Sequence, residues 1–437
     1  MKHDGKRPRI GVLGGGLAGL TAAYRLSESG FDVTVLERDG ELGGLAKAIN
    51  IDGFPIDVYY HHAFSSDAAL WGLCAELGLS GSVRWLKSPM GYLTDGKVYQ
   101  FGTIASLLKF KPLGIADKIR FITSTLKLKS ERDLGKLEGF TADEWLRRHA
   151  GERVYEVIWK PLLVQKFGPR YDKIGITFIA RKVQQRSETR KLGQESLAYM
   201  EGSFGLITDA LAGRIRSNGG EIRTGANVTR ISRDGDALVV EDNKTKTRFD
   251  KVVATFAPGV LKGLCDFPAE YRGGLDKLEH MAVICAMLIA KKPVSGIYWL
   301  NVGDNSFPFG AVVEHTNLWG PEHYGGRHIT YISKYLSPDD PVYKSKDKDI
   351  LGLFYRHIKR INPLFDGEKD VTKALVFRSM YAQPFITAGY GAIKPGIKTP
   401  VEGLYWVSTS HIYPEDRGVN YSIKLGMEVS DLVKRGY

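Results

Sequence analysis

Residues 9–46 read RIGVLGGGLAGLTAAYRLSESGFDVTVLERDGELGGLA, and this stretch decides the fold. A short apolar strand, Ile10 to Leu13, runs into a glycine-rich turn, and a helix is predicted from about Leu17 to Ser29. A second apolar strand, Val33 to Leu36, then leads to Glu37, whose carboxylate can accept hydrogen bonds from an adenosine ribose. Two strands, a G-x-G-x-x-G turn, a helix and a terminal acid form a βαβ unit of the dinucleotide-binding type.

The residue type at each position of the turn has a physical reason. Gly14 permits the tight turn, Gly16 lets the backbone approach a pyrophosphate, and Gly19 lets the helix pack closely on the strand. The helix begins at Leu17 and Ala18, where free N–H groups and a partial positive charge face the phosphates. The turn therefore predicts a site for the pyrophosphate of a dinucleotide.

The residues after Glu37 indicate which dinucleotide binds. Arg38 is followed by a second glycine pair, Gly43-Gly44, and by Leu45. A second glycine pair lets another backbone segment close over the cofactor, which suits FAD; the alternative interpretation is a glycine-rich surface turn. The extension resembles that of the FAD-dependent amine oxidase, protoporphyrinogen oxidase and phytoene desaturase superfamily, which has UDP-galactopyranose mutase as a more distant relative. The resemblance implies FAD, and because no cysteine lies near the C-terminal cofactor segment we expect non-covalent attachment.

The same resemblance implies the fold, since it spans nearly the whole chain. It implies an α/β protein in which a Rossmann-like FAD-binding domain of the GR2 type is interleaved with a mixed α+β substrate domain. The FAD-binding domain is expected at residues 1–64, 200–262 and 395–437. The substrate domain is expected at residues 65–199, which are mostly helical in pattern, and at residues 263–394, which are rich in strand patterns.

Composition excludes several other classes of protein. The three cysteines are far apart and lack a C-x-x-C pair, so neither a metal site nor a disulfide framework is predicted. No apolar run reaches the ~18 residues of a membrane-spanning helix, and the first apolar run contains the phosphate-binding turn rather than a signal peptide. We therefore expect a cytoplasmic protein. The formal net charge of +12 favours an anionic partner, but no nucleic-acid-binding motif accompanies it.

Residues 101–132 carry much of this positive charge. Seven basic residues are opposed by two acidic ones, and apolar residues with helical spacing lie between them: Ile115, Ile119, Ile122 and Leu126. A basic amphipathic helix can lie in a membrane interface, which predicts peripheral association with an anionic bilayer. The alternative is a solvated basic face above an ordinary core stripe.

The resemblance also implies further cofactor contacts. In the superfamily, a strand in the second cofactor segment touches the adenine, which here places Val228 at the cofactor, and Ala257 closes that region. The last strand of the family ends in glycine–aspartate near the pyrophosphate, whereas this chain has Ser408-Thr409. The C-terminal candidates for cofactor contacts are Ser408, Arg417, Gly418, Val419 and Asn420.

Candidates for the substrate chemistry lie at the ends of predicted strands. The segment Gly53–Phe64 resembles the family segment that runs beside the flavin, and His62 is its candidate, with packing and a hydrogen bond as the alternative role for His61 and His62. Polar residues also stand out at strand ends of the sheet-rich part. These candidates are Glu314, His315, Tyr335 and Tyr381.

The resemblance implies an oxidoreductase in which a substrate hydride goes to flavin N5 while the protein supplies orientation and electrostatics. The strand His280–Met287 has no lysine of the kind that amine oxidases carry near N5, which disfavours an amine substrate. Apolar and aromatic patterns favour a bulky, largely apolar or cyclic substrate of the desaturase or oxidase type. The alternative is a non-redox flavoenzyme of the UDP-galactopyranose mutase type, acting on a nucleotide-linked or lipid-linked sugar, with Arg417 as a phosphate contact.

Overall fold

The computed structural model describes residues 7–188, 190–191 and 194–436, and all structural statements here concern those residues. Their strands, in chain order, are β1 Arg9–Leu13, β2 Asp32–Leu36, β3 Ala48–Ile51, β4 Phe54–Asp57, β5 Val83–Lys87, β6 Met90–Thr94, β7 Lys97–Gln100, β8 Arg190–Lys191, β9 Gln194–Met200, β10 Glu221–Arg223, β11 Val228–Asp234, β12 Ala237–Asp242, β13 Lys246–Phe249, β14 Lys251–Ala254, β15 His280–Ala290, β16 Trp299–Val302, β17 Ala311–Glu314, β18 His328–Leu336, β19 Val371–Pro384 and β20 Leu404–Trp406.

The α-helices, in chain order, are α1 Leu17–Glu28, α2 Ala68–Glu76, α3 Ile104–Leu108, α4 Ile115–Ser130, α5 Ala142–Ala150, α6 Glu152–Val154, α7 Lys160–Phe167, α8 Ile176–Glu188, α9 Gly205–Ser217, α10 Pro258–Leu264, α11 Ala269–Asp276, α12 Asp347–Ile361, α13 Tyr390–Ile393 and α14 Val419–Lys434. In the part of the chain that the structure describes, none of these helices has the length and apolar character needed to cross a membrane.

A five-stranded parallel sheet in the order β10-β2-β1-β14-β20 contains the βαβ unit predicted from the sequence. Four residues each of β1 and β2 are buried in an unbroken run. Such continuous burial is expected of parallel strands whose two faces are both covered. The carboxyl ends of β1, β2, β14 and β20 therefore meet at one edge of the sheet, which is where the glycine-rich turn lies.

Helices α1 and α14 pack against each other on this sheet. The two helices are close at Gly426, where an added Cβ atom would lie 2.5 Å from the carbonyl oxygen of Ala18 and 2.7 Å from Cβ of Thr21. A larger residue at this position would therefore push the two helices apart. The first and last helices of the chain thus share one apolar core with the parallel sheet, because Leu20, Val35 and Ile423 belong to the same buried cluster.

A seven-stranded sheet in the order β19-β15-β18-β17-β16-β6-β7 forms the second large layer. Its outer face is covered by α12, where Ile350 and Phe354 pack in one cluster with Ile284 and Ile332. Its inner face carries Tyr331 and joins the core of the parallel sheet. The two faces alternate along each strand, so the residues on the inner face of β18 include Tyr331, Ser333 and Tyr335.

The interpretation of residues 65–199 as mostly helical is incomplete. β5, β6, β7 and β9 lie in this segment, and β6 and β7 form a hairpin at the edge of the seven-stranded sheet. Asp95 and Gly96, at the hairpin turn, both have positive φ angles, of 50° and 67°. Asp-Gly is a strong sequence signal for such a turn, so this hairpin could have been predicted from the sequence.

The buried carboxylate of Asp57 connects the two layers. Its oxygens accept hydrogen bonds from the Tyr199 hydroxyl at 2.8 Å and from the backbone N–H of Phe204 at 3.1 Å. Its carbonyl oxygen accepts a further bond from the Tyr331 hydroxyl at 2.5 Å. Burial raises the pKa of this carboxyl to about 7. These bonds fix the start of the loop that follows β4, residues 58–62, between the two sheets.

Candidate cofactor and substrate site

The glycine-rich turn is held by contacts that exclude a side chain at two positions. Gly14 has a φ of +109°, and a Cβ atom there would lie 2.2 Å from Oγ1 of Thr255. The same Oγ1 donates a hydrogen bond to the carbonyl oxygen of Leu13 at 2.9 Å, which ties the turn to β14. A Cβ atom at Gly19 would lie 2.0 Å from the carbonyl oxygen of Gly14. The fold itself therefore requires glycine at positions 14 and 19.

Gly16 differs, because the protein leaves space beside it. A Cβ atom there would meet no protein atom closer than Cα of Gly44, at 3.9 Å. Gly16 and Gly43 form a parallel bridge, so the second glycine pair lies against the turn, as the sequence predicts. Gly16 is also the N-cap of α1, which has no side-chain cap and no acidic residue in its first turn. Open space and uncapped N–H groups at a helix N-terminus fit a pyrophosphate.

Glu37 lies directly beside this turn. Its Oε2 accepts the backbone N–H of Gly15 at 2.6 Å, and its Oε1 accepts that of Asp39 at 2.8 Å. Its carbonyl oxygen accepts the N–H of Ala226 at 2.8 Å, which brings the start of β11, with Val228, to the same place. Each carboxylate oxygen has a further lone pair for a ribose hydroxyl. Glu37 therefore positions the turn and keeps acceptor capacity for a ligand.

The other proposed cofactor residues have varied surroundings. The Arg38 side chain is exposed, and its Nε lies 3.5 Å from Oδ1 of Asp39. Leu45 lies in the short turn after the second glycine pair, and Ala257 is the N-cap of α10. The Ser408 hydroxyl accepts the N–H of Ser410 at 3.3 Å and caps the turn that follows β20.

Three further candidates for cofactor contacts lie at the start of α14. Gly418 is the exposed N-cap of α14, and Val419 is its first residue. The side-chain oxygen of Asn420 accepts the backbone N–H of Leu70 at 3.1 Å, so Asn420 joins α14 to α2. This bond gives Asn420 a structural role in addition to the predicted cofactor contact.

Aromatic residues of the loop 59–62 lie across the inner face of the seven-stranded sheet. The Tyr59 ring packs edge-on against Phe377, with the ring centres 6.3 Å apart. The Tyr60 hydroxyl lies 3.0 Å from Oγ of Ser333, and its ring packs edge-on against Trp299. The bulky residues at positions 59 and 60 therefore point towards the sheet.

Two histidines continue this loop. Nδ1 of His62 lies 3.0 Å from the Tyr298 hydroxyl, whereas Nδ1 of His61 is buried and has no hydrogen-bond partner among the described residues. Burial lowers the pKa of His61 to about 4 and that of His62 to about 3. Both imidazoles are therefore neutral near pH 7.

Tyr335 and Tyr381 lie at the ends of β18 and β19, on either side of β15. The Tyr335 hydroxyl accepts a hydrogen bond from Nη2 of Arg417 at 2.6 Å. Nε of Arg417 is buried and has no hydrogen-bond partner in the part of the chain that the structure describes. The Tyr381 ring packs edge-on against His280, whose Nε2 lies 3.2 Å from Oγ1 of Thr409. The structure thus brings both tyrosines to the chain segment that follows β20.

The structure does not bring Glu314, the predicted catalytic residue at the end of β17, into this group. Glu314 is fully buried and accepts hydrogen bonds from Oγ1 of Thr330 at 2.8 Å, Oγ1 of Thr316 at 2.9 Å and the N–H of Val294 at 2.8 Å. Burial raises the pKa of this carboxyl to about 7. These contacts fasten the loop at Val294 to β17 and leave no direction open to a substrate.

His315, also predicted to be catalytic, lies outside this group as well. Its Nε2 lies 2.7 Å from the Tyr324 hydroxyl, and its ring packs edge-on against Tyr199 and Tyr331. Burial lowers its pKa to about 3. The side chain therefore belongs to the aromatic core around Asp57, behind Tyr331, and not to the group of Tyr335 and Arg417.

Sequence reasoning missed three charged side chains that lie beside Tyr335. They are Lys166 on α7, Lys182 on α8 and Asp416 on the loop before α14. Nζ of Lys166 lies 5.5 Å from the centre of the Tyr335 ring, and Nζ of Lys182 lies 2.5 Å from Oδ2 of Asp416. No local motif marks these residues, because they come from elements far apart in the chain.

Comparisons with known proteins agree with this geometry. The family model of the flavin-containing amine oxidoreductases matches residues 17–432. A phytoene desaturase of Cercospora nicotianae is 31% identical over 388 residues, which are 78% of this chain and 58% of that protein. A mitochondrial protoporphyrinogen oxidase of Nicotiana tabacum is 24% identical over 180 residues, 40% of this chain and 35% of that protein. The chain thus spans between about a third and three fifths of the length of these two relatives.

Solved structures share the fold. Reduced UDP-galactopyranose mutase superposes with a TM-score of 0.76 at 16% identity, over 98% of this chain and 96% of that chain. The α/β fold expected from the sequence is confirmed. The molecule is thus a dinucleotide-binding protein with a second sheet against the cofactor-binding half.

The chain belongs to the flavin-containing amine oxidoreductase family, which confirms the resemblance seen in the sequence. FAD is the cofactor of this family of oxidoreductases, and the open space at Gly16, the uncapped N-terminus of α1 and the unpartnered Nε of Arg417 all fit it.

Two glycine variants separate the requirements of the fold from those of the cofactor. Gly16→Ala should fold with an unchanged melting temperature of the apoprotein, because the nearest protein atom is 3.9 Å from the added Cβ. It should nevertheless be purified without FAD, since the methyl group occupies the pyrophosphate position. Gly19→Ala should also lose thermal stability, because its Cβ collides with a backbone oxygen. Gly213→Ala, on α9 with open space around it, is the control. Full FAD retention in Gly16→Ala would contradict the proposed pyrophosphate position.

Loss of the Glu37 carboxylate should weaken FAD binding. Charge-assisted hydrogen bonds contribute about 1.5–3 kcal/mol, so Glu37→Ala should raise the dissociation constant of FAD about ten- to hundredfold. Glu37→Gln keeps one acceptor and should show a smaller loss. Equilibrium dialysis of reconstituted protein measures both constants. Equal affinities of the wild type and Glu37→Ala would place the ribose contact elsewhere.

Proposed function

We propose that this protein oxidises a bulky, largely apolar or cyclic substrate, with FAD as the hydride acceptor. The observation that carries the proposal is the aromatic and apolar inner face of the seven-stranded sheet beside the loop 59–62. Val283 lies opposite Tyr335 in the register of β15 and β18, and Cys285 lies opposite Ser333. The side chains of β15 include no lysine, so nothing on that strand matches the lysine of amine oxidases.

The residues around this face have roles that follow from their contacts. Arg417 orients the Tyr335 hydroxyl through a hydrogen bond of 2.6 Å. His62 is half-buried and neutral, and its contact with the Tyr298 hydroxyl fixes the ring. A site lined in this way excludes water, which protects a hydride transfer from competing reactions. We propose His62, Tyr335 and Tyr381 as the side chains that position the substrate, and FAD supplies the electron-accepting chemistry.

Anaerobic spectroscopy tests the reaction type. In an oxidation, a substrate should bleach the visible absorbance of the oxidised flavin in the absence of oxygen. Tyr335→Phe should fold and bind FAD but be reduced more slowly, because Arg417 loses its hydroxyl partner. Candidate compounds should include polycyclic, isoprenoid and porphyrin-like molecules, with a hydrophilic amine as the matched negative control. Rapid bleaching by the amine alone would contradict the proposed substrate class.

The alternative is a non-redox reaction on a nucleotide-linked or lipid-linked sugar. It is supported by the fold shared with UDP-galactopyranose mutase and by the position of Arg417. Such an enzyme would be active only after reduction of the flavin and would yield an isomer of its substrate. Turnover that requires prior reduction of the flavin and transfers no electrons would support this non-redox reaction and contradict the proposed oxidation.

We further propose that α3 and α4 contact an anionic membrane surface. The apolar side chains Ile104, Leu108, Ile115, Ile119 and Leu126 are between 54% and 80% exposed, whereas the buried residues of α4 are Ser124 and Leu128. Three residues of the predicted stripe, Ile115, Ile119 and Leu126, thus face solvent, whereas Ile122 is half-buried. This exposure supports the membrane contact over the core-stripe alternative. Basic residues lie among it, and a cavity of about 690 Å³ near the end of α4 is lined by Thr123, Leu126, Lys127, Lys129, Ser130 and Arg132.

Flotation with vesicles tests this contact. Each basic residue near an anionic bilayer contributes about 1 kcal/mol of binding, so the protein should float with phosphatidylserine vesicles and less so at high salt. Ile115→Asp should abolish flotation, because it places a charge in the apolar stripe. Leu364→Asp is the matched control, since Leu364 is 83% exposed and lies outside α3 and α4. Equal flotation of the two variants would contradict a docking surface on these helices.

A further inference from the structure

Lys166, Lys182 and Arg417 surround a single carboxylate, that of Asp416. Nζ of Lys182 lies 2.5 Å and Nζ of Lys166 lies 3.8 Å from Oδ2 of Asp416. Arg417 is the next residue of the chain and donates its hydrogen bond to Tyr335. Among the described residues, these three basic side chains therefore have one neighbouring carboxylate, that of Asp416. This leaves a formal excess of two positive charges.

The neighbouring ion pair shows that this excess is a local property. Arg181, on the same helix as Lys182, pairs with Glu415 at 3.0 Å, so one cation there meets one anion. The excess at Asp416 also does not lie on the open surface. The side chains of Asp416, Lys166 and Lys182 are only 15%, 21% and 35% exposed, respectively. Part of each of these side chains is therefore still accessible to solvent.

The electrostatics of this cluster favour an additional anion. Burial lowers the pKa of Lys166 well below its usual range, and Lys182 and Arg417 lower it further, while Asp416 acts in the opposite direction. Holding like charges together in a partly dehydrated place is unfavourable. An incoming anion would offset the repulsion and stabilise the charged form of Lys166.

The cluster is adjacent to the proposed substrate site. Nζ of Lys166 lies 5.0 Å from the centre of the Phe178 ring and 5.5 Å from that of Tyr335. Nζ of Lys182 lies 5.1 Å from the centre of the same Phe178 ring. Two cations beside aromatic rings present a charged end and an apolar wall to one ligand.

We propose that Lys166 and Lys182 form a subsite for an anionic group, a carboxylate or a phosphate, carried by the substrate. The substrate is then an acid or a phosphate ester with an apolar body, and not a neutral hydrocarbon. Lys166 and Lys182 hold the anionic end, and the apolar body extends along Tyr335 towards the inner face of the sheet. That the ligand of this subsite is the substrate rests on the proposed function.

Isothermal titration of the FAD-bound protein tests the subsite. The probes are benzoate, phenyl phosphate and inorganic phosphate, with benzyl alcohol as the neutral analogue. At least one anionic probe should bind, and benzyl alcohol should not. Binding of benzoate alone assigns the subsite to carboxylates, whereas binding of the two phosphates alone assigns it to phosphates.

Variants locate the binding. Lys166→Gln and Lys182→Gln should each weaken the bound anion about ten- to hundredfold, as expected for loss of a charge-assisted hydrogen bond. Asp416→Asn should strengthen it, because it removes the competing carboxylate. Lys348→Gln, at an exposed position on α12, is the matched control and should leave the affinity unchanged. The visible flavin spectrum and the melting temperature show that each variant is folded.

Two results would overturn the subsite. One is that none of the anionic probes binds to the wild type. The other is that Lys182→Gln, Lys166→Gln and Asp416→Asn bind the anion as tightly as the control. Failure of the proposed oxidation is a separate result, because the titration measures binding and needs no turnover. Anion binding in a protein whose flavin no substrate bleaches would keep the subsite and reject the oxidation.

Discussion

The structure depends on the close contact between the glycine-rich turn and the strands of the parallel sheet. A side chain at position 19 would lie 2.0 Å from the carbonyl oxygen of Gly14, and one at position 14 would lie 2.2 Å from Thr255. This contact fixes where α1 begins relative to β1 and β14. Because β2 and β20 end at the same edge of the sheet, it also places Glu37 and the segment from Ser408 to Arg417 around the turn. The position of the cofactor follows from this arrangement.

The second constraint is the loop between the two sheets. Asp57 holds its start through bonds to Tyr199, Phe204 and Tyr331, and the side chains that follow pack on the inner face of the seven-stranded sheet. The loop backbone therefore lies between the cofactor-binding half and that sheet. Burial there keeps the histidines neutral near pH 7, while the positive charge is concentrated at Arg417 and the two lysines beside Tyr335. A substrate bound at the proposed site would meet an apolar wall and a cationic end.

The sequence predicts local features well and the assembly of distant ones poorly. The βαβ unit was predictable because its strand, turn, helix and acid are contiguous and each has its own signal. The pairing of Arg417 with Tyr335 joins residues 82 positions apart, and the meeting of Lys166, Lys182 and Asp416 depends on the packing of three elements. Glu314 shows a different difficulty. A polar residue at the end of a strand can face a cavity or be satisfied inside the core, and strand periodicity does not identify its hydrogen-bond donors. The apolar stripe of α4 was visible in the sequence, but only the tertiary structure shows that Ile115, Ile119 and Leu126 face solvent.

The most direct test of this account is a crystal structure of the protein with FAD. The account predicts the pyrophosphate against Gly16 and the N-terminus of α1, the ribose at Glu37, and the isoalloxazine ring between the loop 59–62 and the segment Thr409–Arg417. In that position Nε of Arg417 or Nδ1 of His61, which are buried and unpartnered in the protein alone, should gain a hydrogen-bond partner. An isoalloxazine ring that lies away from this loop, with both atoms still unpartnered, would contradict the account.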